Sequence, residues 1–131
     1  RSPLWVGGGI TFGPKPRSYK KNVTKKMKRL ALRSILTDKV NSDELKIVDD
    51  LDYDSPKTKQ VVELLKDFDL EDKKVLIVLA EKNDNVYLSA RNIPNVDTMV
   101  LDAMNSYQLL NNDYLLVQEE AARKIEEVLS E

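Results

Sequence analysis

Short apolar runs alternate with amphipathic segments over most of the chain, starting at about residue 24. Compact apolar runs are typical of buried strands, and apolar positions three and four residues apart are typical of helices. These patterns predict strands at 45–48, 74–80, 98–101 and 114–117, and helices at 24–37, 56–68, 86–91, 106–110 and 119–129. Because parallel strands need crossover helices, the order predicts an α/β fold, an open and mostly parallel sheet of about four strands with helices on both faces.

The first two predicted helices have distinct sequence features. In the second, Ser55 is a suitable N-cap and Pro56 suits the first helical position, where no amide hydrogen is needed. In the first, Met27, Leu30 and Ile35 fall at helical spacing, and we expect them to anchor this helix to the domain.

The rest of the first helix is basic, and no acid occurs from residue 1 to residue 37. A solvated helix face usually mixes charge signs to gain ion pairs, whereas like charges repel unless anions lie against them. The pattern therefore favours an anionic partner over a merely solvated face. The basic positions are Lys21, Lys25, Arg29 and Arg33 at intervals of four, with Lys26 and Lys28 beside them.

Residues 1–23 differ in composition from the remainder, since they hold all four glycines and three of the five prolines. Such a stretch buries too little apolar surface to offset its ordering entropy. We predict two units: an extended basic arm at 1–23, poorly ordered unless bound, and an α/β domain at 24–131. Within the arm, Trp5, Phe12 and Tyr19 have two open interpretations, stacking on unpaired bases or burial against the domain.

The distribution of charge supports this division. Residues 1–40 hold eleven Lys and Arg against one acid, a net of +10, while residues 41–131 carry a net of −11. The total of −1 therefore hides a basic segment joined to an acidic domain. A segment of this kind is suited to bind phosphates, and nucleic acid is the expected partner.

Several classes of site are excluded by composition. With no Cys and no His, the chain cannot form a disulfide, a thiol nucleophile, a thiolate or imidazole metal site, or a Ser-His-Asp relay. The longest apolar run, 75–80, is too short to span a bilayer. We expect a soluble, intracellular protein with no cofactor, no metal and no membrane partner. The first residue is Arg1, so we also expect a processed chain or a fragment.

Two motifs could indicate a small-molecule site. Gly8 and Gly13 have the spacing of a phosphate-binding loop, but Pro14 follows and no predicted strand precedes. These glycines are better explained by close approach of backbone to a bulky partner such as RNA, or by a flexible linker.

The second motif is a group of acids after the first predicted strand, where α/β sheets often bind ligands. It could hold a hard cation or, together with Lys57 or Lys82, form a phosphate-ligand enzyme site. A solvated turn is the favoured explanation, because turns after strands are often rich in Asp. The acids are Asp49, Asp50, Asp52 and Asp54.

The whole chain resembles a known family. The string RSPLWVGGGITFGPKPRSYKKNVTKKMKRLALRSIL is similar to the part of the bacterial-type large-subunit ribosomal protein L-four (universal uL-four) family that leaves its extended loop and enters the globular domain. Similarity continues through VDDLDYDSPKTK, KKVLIVLAEKNDNVYLSARNIPNV and NSYQLLNNDYLLVQEEAARKIEEVL. The resemblance implies a structural constituent of the large ribosomal subunit in the cytoplasm, with no catalysis. Its role would lie in translation, as a ribonucleoprotein component near the exit tunnel.

The resemblance also implies partners: large-subunit ribosomal RNA and neighbouring ribosomal proteins. An alternative is a regulatory RNA-binding protein that represses its own messenger RNA, with local contacts on the acidic domain around Arg91, Asn92, Asn105 and Tyr107. The family's N-terminal strand and helix and the first half of its loop have no counterpart here, so we expect an exposed sheet edge. Val6 departs from the family, where a basic residue is usual.

Combining the resemblance with the charge pattern gives a predicted RNA-binding set. Val6 removes one phosphate contact from it, and the other basic positions remain. The set is Arg1, Trp5, Gly7, Gly8, Gly9, Lys15, Arg17, Tyr19, Lys20, Lys21, Lys25, Lys26, Lys28, Arg29 and Arg33.

Overall fold

The computed structural model of the chain describes residues 1–49, 51, 53 and 55–130. Strands and helices alternate after the first helix, as the hydrophobic pattern predicts. The elements are α1 (Lys25–Asn41), β1 (Leu45–Val48), α2 (Thr58–Asp67), β2 (Val75–Leu79), α3 (Asp84–Ala90), β3 (Val96–Val100), a 3-10 turn (Leu101–Ala103), α4 (Ser106–Asn111), β4 (Tyr114–Gln118) and α5 (Glu119–Ser130).

The strands form one four-stranded sheet in the order β1-β4-β2-β3. Every pairing is parallel, and Val75 of β2 lies opposite Val96 of β3 on one side and Tyr114 of β4 on the other. The predicted α/β class is therefore confirmed. Among the described residues, no helix has the length and apolar character needed to cross a bilayer.

The central strand β2 shows why the sheet needs helices on both faces. All five of its residues are buried, since alternate side chains point into two separate hydrophobic cores. Ile77 faces the core covered by α2 and α3, where Val61 and Val86 pack. Val78 faces the core covered by α1, α4 and α5, where Leu109 packs.

The predicted start of α2 is wrong. The chain stays extended through Lys57, and the helix begins at Thr58 rather than at Pro56. The amide of Lys57 donates to the hydroxyl of Ser89 at 2.9 Å, and that buried hydroxyl donates to the carbonyl of Asn85 at 2.6 Å. This tertiary hydrogen bond holds residue 57 outside the helix, so Ser55 does not act as its N-cap.

The region of β3 also differs from prediction. Asn95 has a φ of 64°, and the strand starts directly after it at Val96, two residues earlier than expected. Leu101 belongs to the 3-10 turn and not to the strand. A left-handed Asn before a strand is a turn signal that the apolar pattern alone does not detect.

Candidate nucleic-acid interface

Helix α1 divides into two halves with different surroundings. Thr24 caps its start by accepting a hydrogen bond from the amide of Met27 at 3.4 Å. Residues 25–31, which we call the free half, are all exposed. Residues 32–41, the anchored half, pack on the sheet through Ile35, with Leu32 and Leu36 partly buried beside it. The free half therefore projects beyond the sheet on which the rest of α1 packs, and its side chains are open to a partner.

The apolar residues of the free half do not anchor the helix. Met27 is 59% exposed and Leu30 is 64% exposed, so the prediction that they pack on the domain is wrong, whereas the prediction for Ile35 is confirmed. At 100° per residue these two lie on the side of the helix opposite to Leu32 and Leu36. Helical spacing correctly identified Met27 and Leu30 as an apolar stripe. The stripe that packs on the sheet is a different one, formed by Leu32, Ile35 and Leu36.

Four cationic side chains cover the other side of the free half. They lie within an arc of roughly 160° on the helical wheel, on the side that meets the domain further along the helix. Each is exposed, so each ammonium or guanidinium group is available to solvent or to an anion. They are Lys25, Lys26, Lys28 and Arg29.

Arg33 lies where the free half meets the domain, and it has a protein partner. Its Nη2 donates to the main-chain carbonyl of Leu129, in the last turn of α5. A charged guanidinium forms a strong hydrogen bond with a carbonyl oxygen, so this contact joins α1 to α5. Arg33 is thus the one member of the predicted RNA-binding set for which the described residues show a hydrogen bond to another helix.

Lys39 is a structural residue that the sequence analysis missed. Its side chain is only 9% exposed, and its Nζ donates to Glu44 Oε2 at 2.7 Å and to the carbonyls of Asn112 and Asp113 at 3.0 and 2.9 Å. All three ammonium protons are therefore used, and α1 is joined to the segments before β1 and β4. The available signal was position, because Lys39 follows Ile35 by four residues and so shares its buried face.

The arm is exposed along its length, and its hydrogen bonds are local. Among residues 1–24 only Gly8 and Gly13 are partly buried, and the bonds described for this segment stay within it or reach the first turn of α1. The basic side chains of the arm are therefore all exposed, and the predicted positions are Arg1, Lys15, Arg17, Lys20 and Lys21.

The aromatic residues of the arm are not buried against the domain. Trp5 is 66% exposed, Phe12 is 100% exposed and Tyr19 is 76% exposed. The guanidinium of Arg17 lies 4.7 Å from the centre of the Tyr19 ring, a cation–π distance. The exposure of these rings excludes burial against the domain, one of the two interpretations left open by the sequence. Stacking of the rings on unpaired bases stays a prediction.

The first nine residues form a tight double turn that depends on one glycine. The amide of Gly8 donates to the carbonyl of Trp5 at 2.9 Å, and that of Gly9 donates to the carbonyl of Arg1 at 3.3 Å. A Cβ on Gly8 would lie 2.0 Å from the carbonyl oxygen of Ser2, and Gly7 has a φ of +71°. The backbone here approaches itself more closely than a side chain at Gly8 allows.

Replacing Gly8 by alanine is expected to open this turn without affecting the domain. The clash with Ser2 would break the three turn hydrogen bonds donated by the amides of Trp5, Gly8 and Gly9. NMR would show shifts of these three amides, while the midpoint of thermal unfolding stays within about 2 °C. The matched control is Gly9→Ala, whose Cβ would lie 3.7 Å from the carbonyl of Arg1, an ordinary contact. Equal shifts in the two variants would contradict the assignment.

The carboxyl edge of the sheet does not resemble a phosphate site. A cavity of about 340 Å³ lies there, and Glu81, Glu120 and Lys82 are among its lining residues. Lys82 is paired with Asp84 at 2.8 Å, and this hydrogen bond raises the pKa of its ammonium group. Acids around a lysine that is already paired oppose anion binding.

Of the four acids that follow β1, Asp49 is exposed, while Asp50, Asp52 and Asp54 lie outside the described residues. Over the part of the chain that is described, no group of three or more acids is placed to hold a metal ion.

The positions proposed for an RNA contact on the domain are not brought together. Arg91 and Asn92 follow α3, before β3 begins, whereas Asn105 and Tyr107 come after β3 ends. The two pairs therefore lie beyond opposite ends of β3. The basic surface consists of the arm and the free half of α1, which hold nine exposed cations and no acid.

Comparison with known families decides the relationship that this basic surface suggests. The sequence profile described as the ribosomal protein L4/L1 family matches residues 1–128. The chain belongs to this family. The match covers the arm, α1 and the α/β domain together, so the resemblance predicted from sequence is confirmed over nearly the whole chain.

Curated relatives within the L4/L1 family are named large ribosomal subunit protein uL4. The chain is 62% identical to the protein of Halothermothrix orenii over 130 residues, which is 99% of this chain and 62% of that relative. It is 52% identical to the protein of Alkaliphilus oremlandii over 128 residues, 98% of this chain and 61% of the relative. The chain thus spans a little over three fifths of the length of these relatives.

Proposed function

We propose that this chain is a structural constituent of the large ribosomal subunit and binds large-subunit ribosomal RNA through the arm and the free half of α1. The observation that carries the proposal is the segregation of charge: residues 1–33 contain ten bases and no acid. These residues form an exposed arm and a projecting half-helix, and the family's relatives are named as large-subunit proteins.

Binding would be driven by phosphate neutralisation. Each Lys or Arg that meets a phosphate releases condensed counterions, and the shape of folded RNA rather than base edges would decide where the arm settles. Trp5, Phe12 and Tyr19 would add stacking on unpaired bases. Gly7, Gly8 and Gly9 would let the backbone lie close to RNA, because they present no side chain that could block the approach.

The acidic domain would act as the scaffold that holds the basic surface. Its net charge of −11 over residues 41–131 repels RNA and directs binding to the opposite end of α1. Neighbouring ribosomal proteins are the partners expected for the domain, and the cytoplasmic ribosome is the expected location. The protein's own messenger RNA, if bound, would use the same basic surface.

Deleting residues 1–23 is expected to weaken RNA binding and reduce its salt dependence. If six to eight cations of the intact chain meet phosphates, log affinity should fall against log salt with a slope of about −5 to −7. Of the five cations that the deletion removes, three or four would be among these contacts, which reduces the magnitude of the slope by about 2 to 3.6. The measurement is a filter-binding titration against tiled fragments of large-subunit ribosomal RNA at several salt concentrations.

The design keeps the domain intact, because Thr24 remains as the α1 cap and the removed residues bond only locally. Circular dichroism of the deleted chain should match that of the intact domain. Adding the protein's own messenger leader as competitor distinguishes the two RNA partners. Equal affinity and equal slope for the intact and deleted chains would be incompatible with the proposal.

A further inference from the structure

The hydrogen bond from Arg33 of α1 to the carbonyl of Leu129 of α5 suggests a role for Arg33 that differs from those of its basic neighbours. Residues 24–31 are exposed, so Arg33 makes the hydrogen bond to the domain that lies nearest the free half. Leu32 makes the apolar contact nearest the free half, and Ile35 and Lys39 lie further along the helix. Apolar contact alone leaves the tilt of α1 adjustable, so the direction of the free half also depends on the hydrogen bond from Arg33 to Leu129.

Packing alone does not fix this direction. A cavity of about 270 Å³ lies beside α1 and α5, and its lining includes Arg29 and Leu32 of α1, Val128 and Leu129 of α5, and Asp102 and Met104 from the segment after β3. Val128 is 55% exposed, so the last turn of α5 is not sealed against α1. Across an incompletely filled gap, a directional hydrogen bond restricts rotation more than loose apolar contact does.

The chemistry of the contact fits a guanidinium. A hydrogen bond from an ionised donor to a carbonyl oxygen is stronger than one between two neutral groups. Arg presents a rigid, permanently charged fork, which holds a fixed direction better than a flexible Lys ammonium group.

We infer that Arg33 is a positioning residue: by donating to the carbonyl of Leu129 in α5 it fixes the direction of the free half, and the phosphate contacts are made by the residues before it. The second part of this inference rests on the proposed RNA-binding function. Without the hydrogen bond from Arg33 to Leu129, the free half would sample several directions and would have to be ordered on each binding event. Affinity would fall while the set of phosphate contacts in the bound state stayed the same.

The first experiment needs no RNA. Because the chain has no cysteine, Met27→Cys and Leu110→Cys place two spin labels at exposed sites on α1 and α4. Electron–electron double resonance should give a narrow distance distribution in the parent and a distribution about twice as broad in Arg33→Gln. Arg33→Lys should lie between them, and Arg29→Gln, the matched control, should leave the distribution unchanged. Equal widths in Arg33→Gln and the parent would overturn the inference.

The second experiment measures RNA affinity against salt concentration for the same variants without spin labels. Arg33→Gln is expected to weaken binding about tenfold with an unchanged slope, whereas Arg29→Gln should reduce the magnitude of the slope by about 0.7 to 0.9. A slope reduced by Arg33→Gln as much as by Arg29→Gln would show a direct phosphate contact, which overturns the inference and supports the proposed function. A broadened distribution with no RNA binding by the parent would contradict the proposed function and support the positioning role.

Discussion

Replacing Lys39 by methionine is expected to lower the free energy of unfolding by about 2 to 4 kcal/mol. The substitution keeps most of the buried hydrocarbon but removes the ammonium group that bonds to Glu44, Asn112 and Asp113. Two main-chain carbonyls would lose a donor that water cannot fully replace, and a buried acceptor left without a partner costs about 1 to 3 kcal/mol. For a domain of this size, the midpoint of thermal unfolding should fall by roughly 10 to 20 °C.

Urea denaturation followed by far-ultraviolet circular dichroism measures this effect. Tryptophan fluorescence is unsuitable because Trp5, the single tryptophan, lies in the exposed arm. The matched control is Lys59→Met, which removes an exposed ion pair with Glu63 at 3.8 Å and should change stability by no more than about 0.5 kcal/mol. Equal stability of the Lys39 and Lys59 variants would show that the buried lysine does not hold α1 to the sheet.

The α/β domain was largely predictable because its signals are local and agree with one another. The alternation of strands and helices, the parallel pairing and the coverage of both faces all follow from short apolar runs separated by amphipathic segments. The start of α2 was not predictable in this way. Ser55 and Pro56 form a good local cap signal, but a tertiary bond from Lys57 to Ser89 holds the chain extended past them.

Helix α1 shows a second limit of sequence patterns. It has apolar residues on two sides, and periodicity cannot say which side meets the sheet when half of the helix projects beyond it. Met27 and Leu30 were therefore predicted as anchors and are exposed, whereas Lys39, for which the pattern made no prediction, is buried. Charge segregation was more informative, because it depends on composition and not on the direction in which a side chain points.

The predicted interface could be located from sequence, but the roles within it could not be separated. No acid occurs before Asp38, which identified the arm and the first helix together. The difference between Arg29 and Arg33 depends on where Leu129 of α5 lies in space, about a hundred positions further along the chain. Arg33 therefore stays a predicted RNA contact on sequence grounds, and only its hydrogen bond to Leu129 supports the positioning role proposed above.

Neutralising the free half of α1 is expected to weaken binding to large-subunit ribosomal RNA by about 100- to 1,000-fold. The variant replaces Lys25, Lys26, Lys28 and Arg29 by glutamine, which keeps helix propensity and side-chain length while removing four charges. A loss of roughly 0.7 to 1 kcal/mol for each charge, typical of exposed ionic contacts, gives this range. Because all four side chains are exposed, the stability of the domain should not fall.

The control variant removes the same number of charges from the acidic domain. Replacing Lys59, Lys66, Lys73 and Lys74 by glutamine also lowers the net charge by four, at exposed positions away from the proposed interface. If RNA binding depended only on total charge, the two variants would lose affinity equally. We expect the domain variant to lose no more than about threefold in RNA affinity, because only its long-range attraction to RNA is weakened.

The salt dependence of RNA affinity, compared between these two fourfold variants, distinguishes binding by the free half of α1 from binding through total charge. Counterion release makes the slope of log affinity against log salt a measure of the number of phosphate contacts. We expect the α1 variant to reduce the magnitude of the slope by about 3 to 4, and the domain variant to leave it within about 0.5 of the parent. An unchanged slope in the α1 variant, or a reduced slope in the domain variant, would contradict the assignment of RNA binding to the arm and the free half of α1.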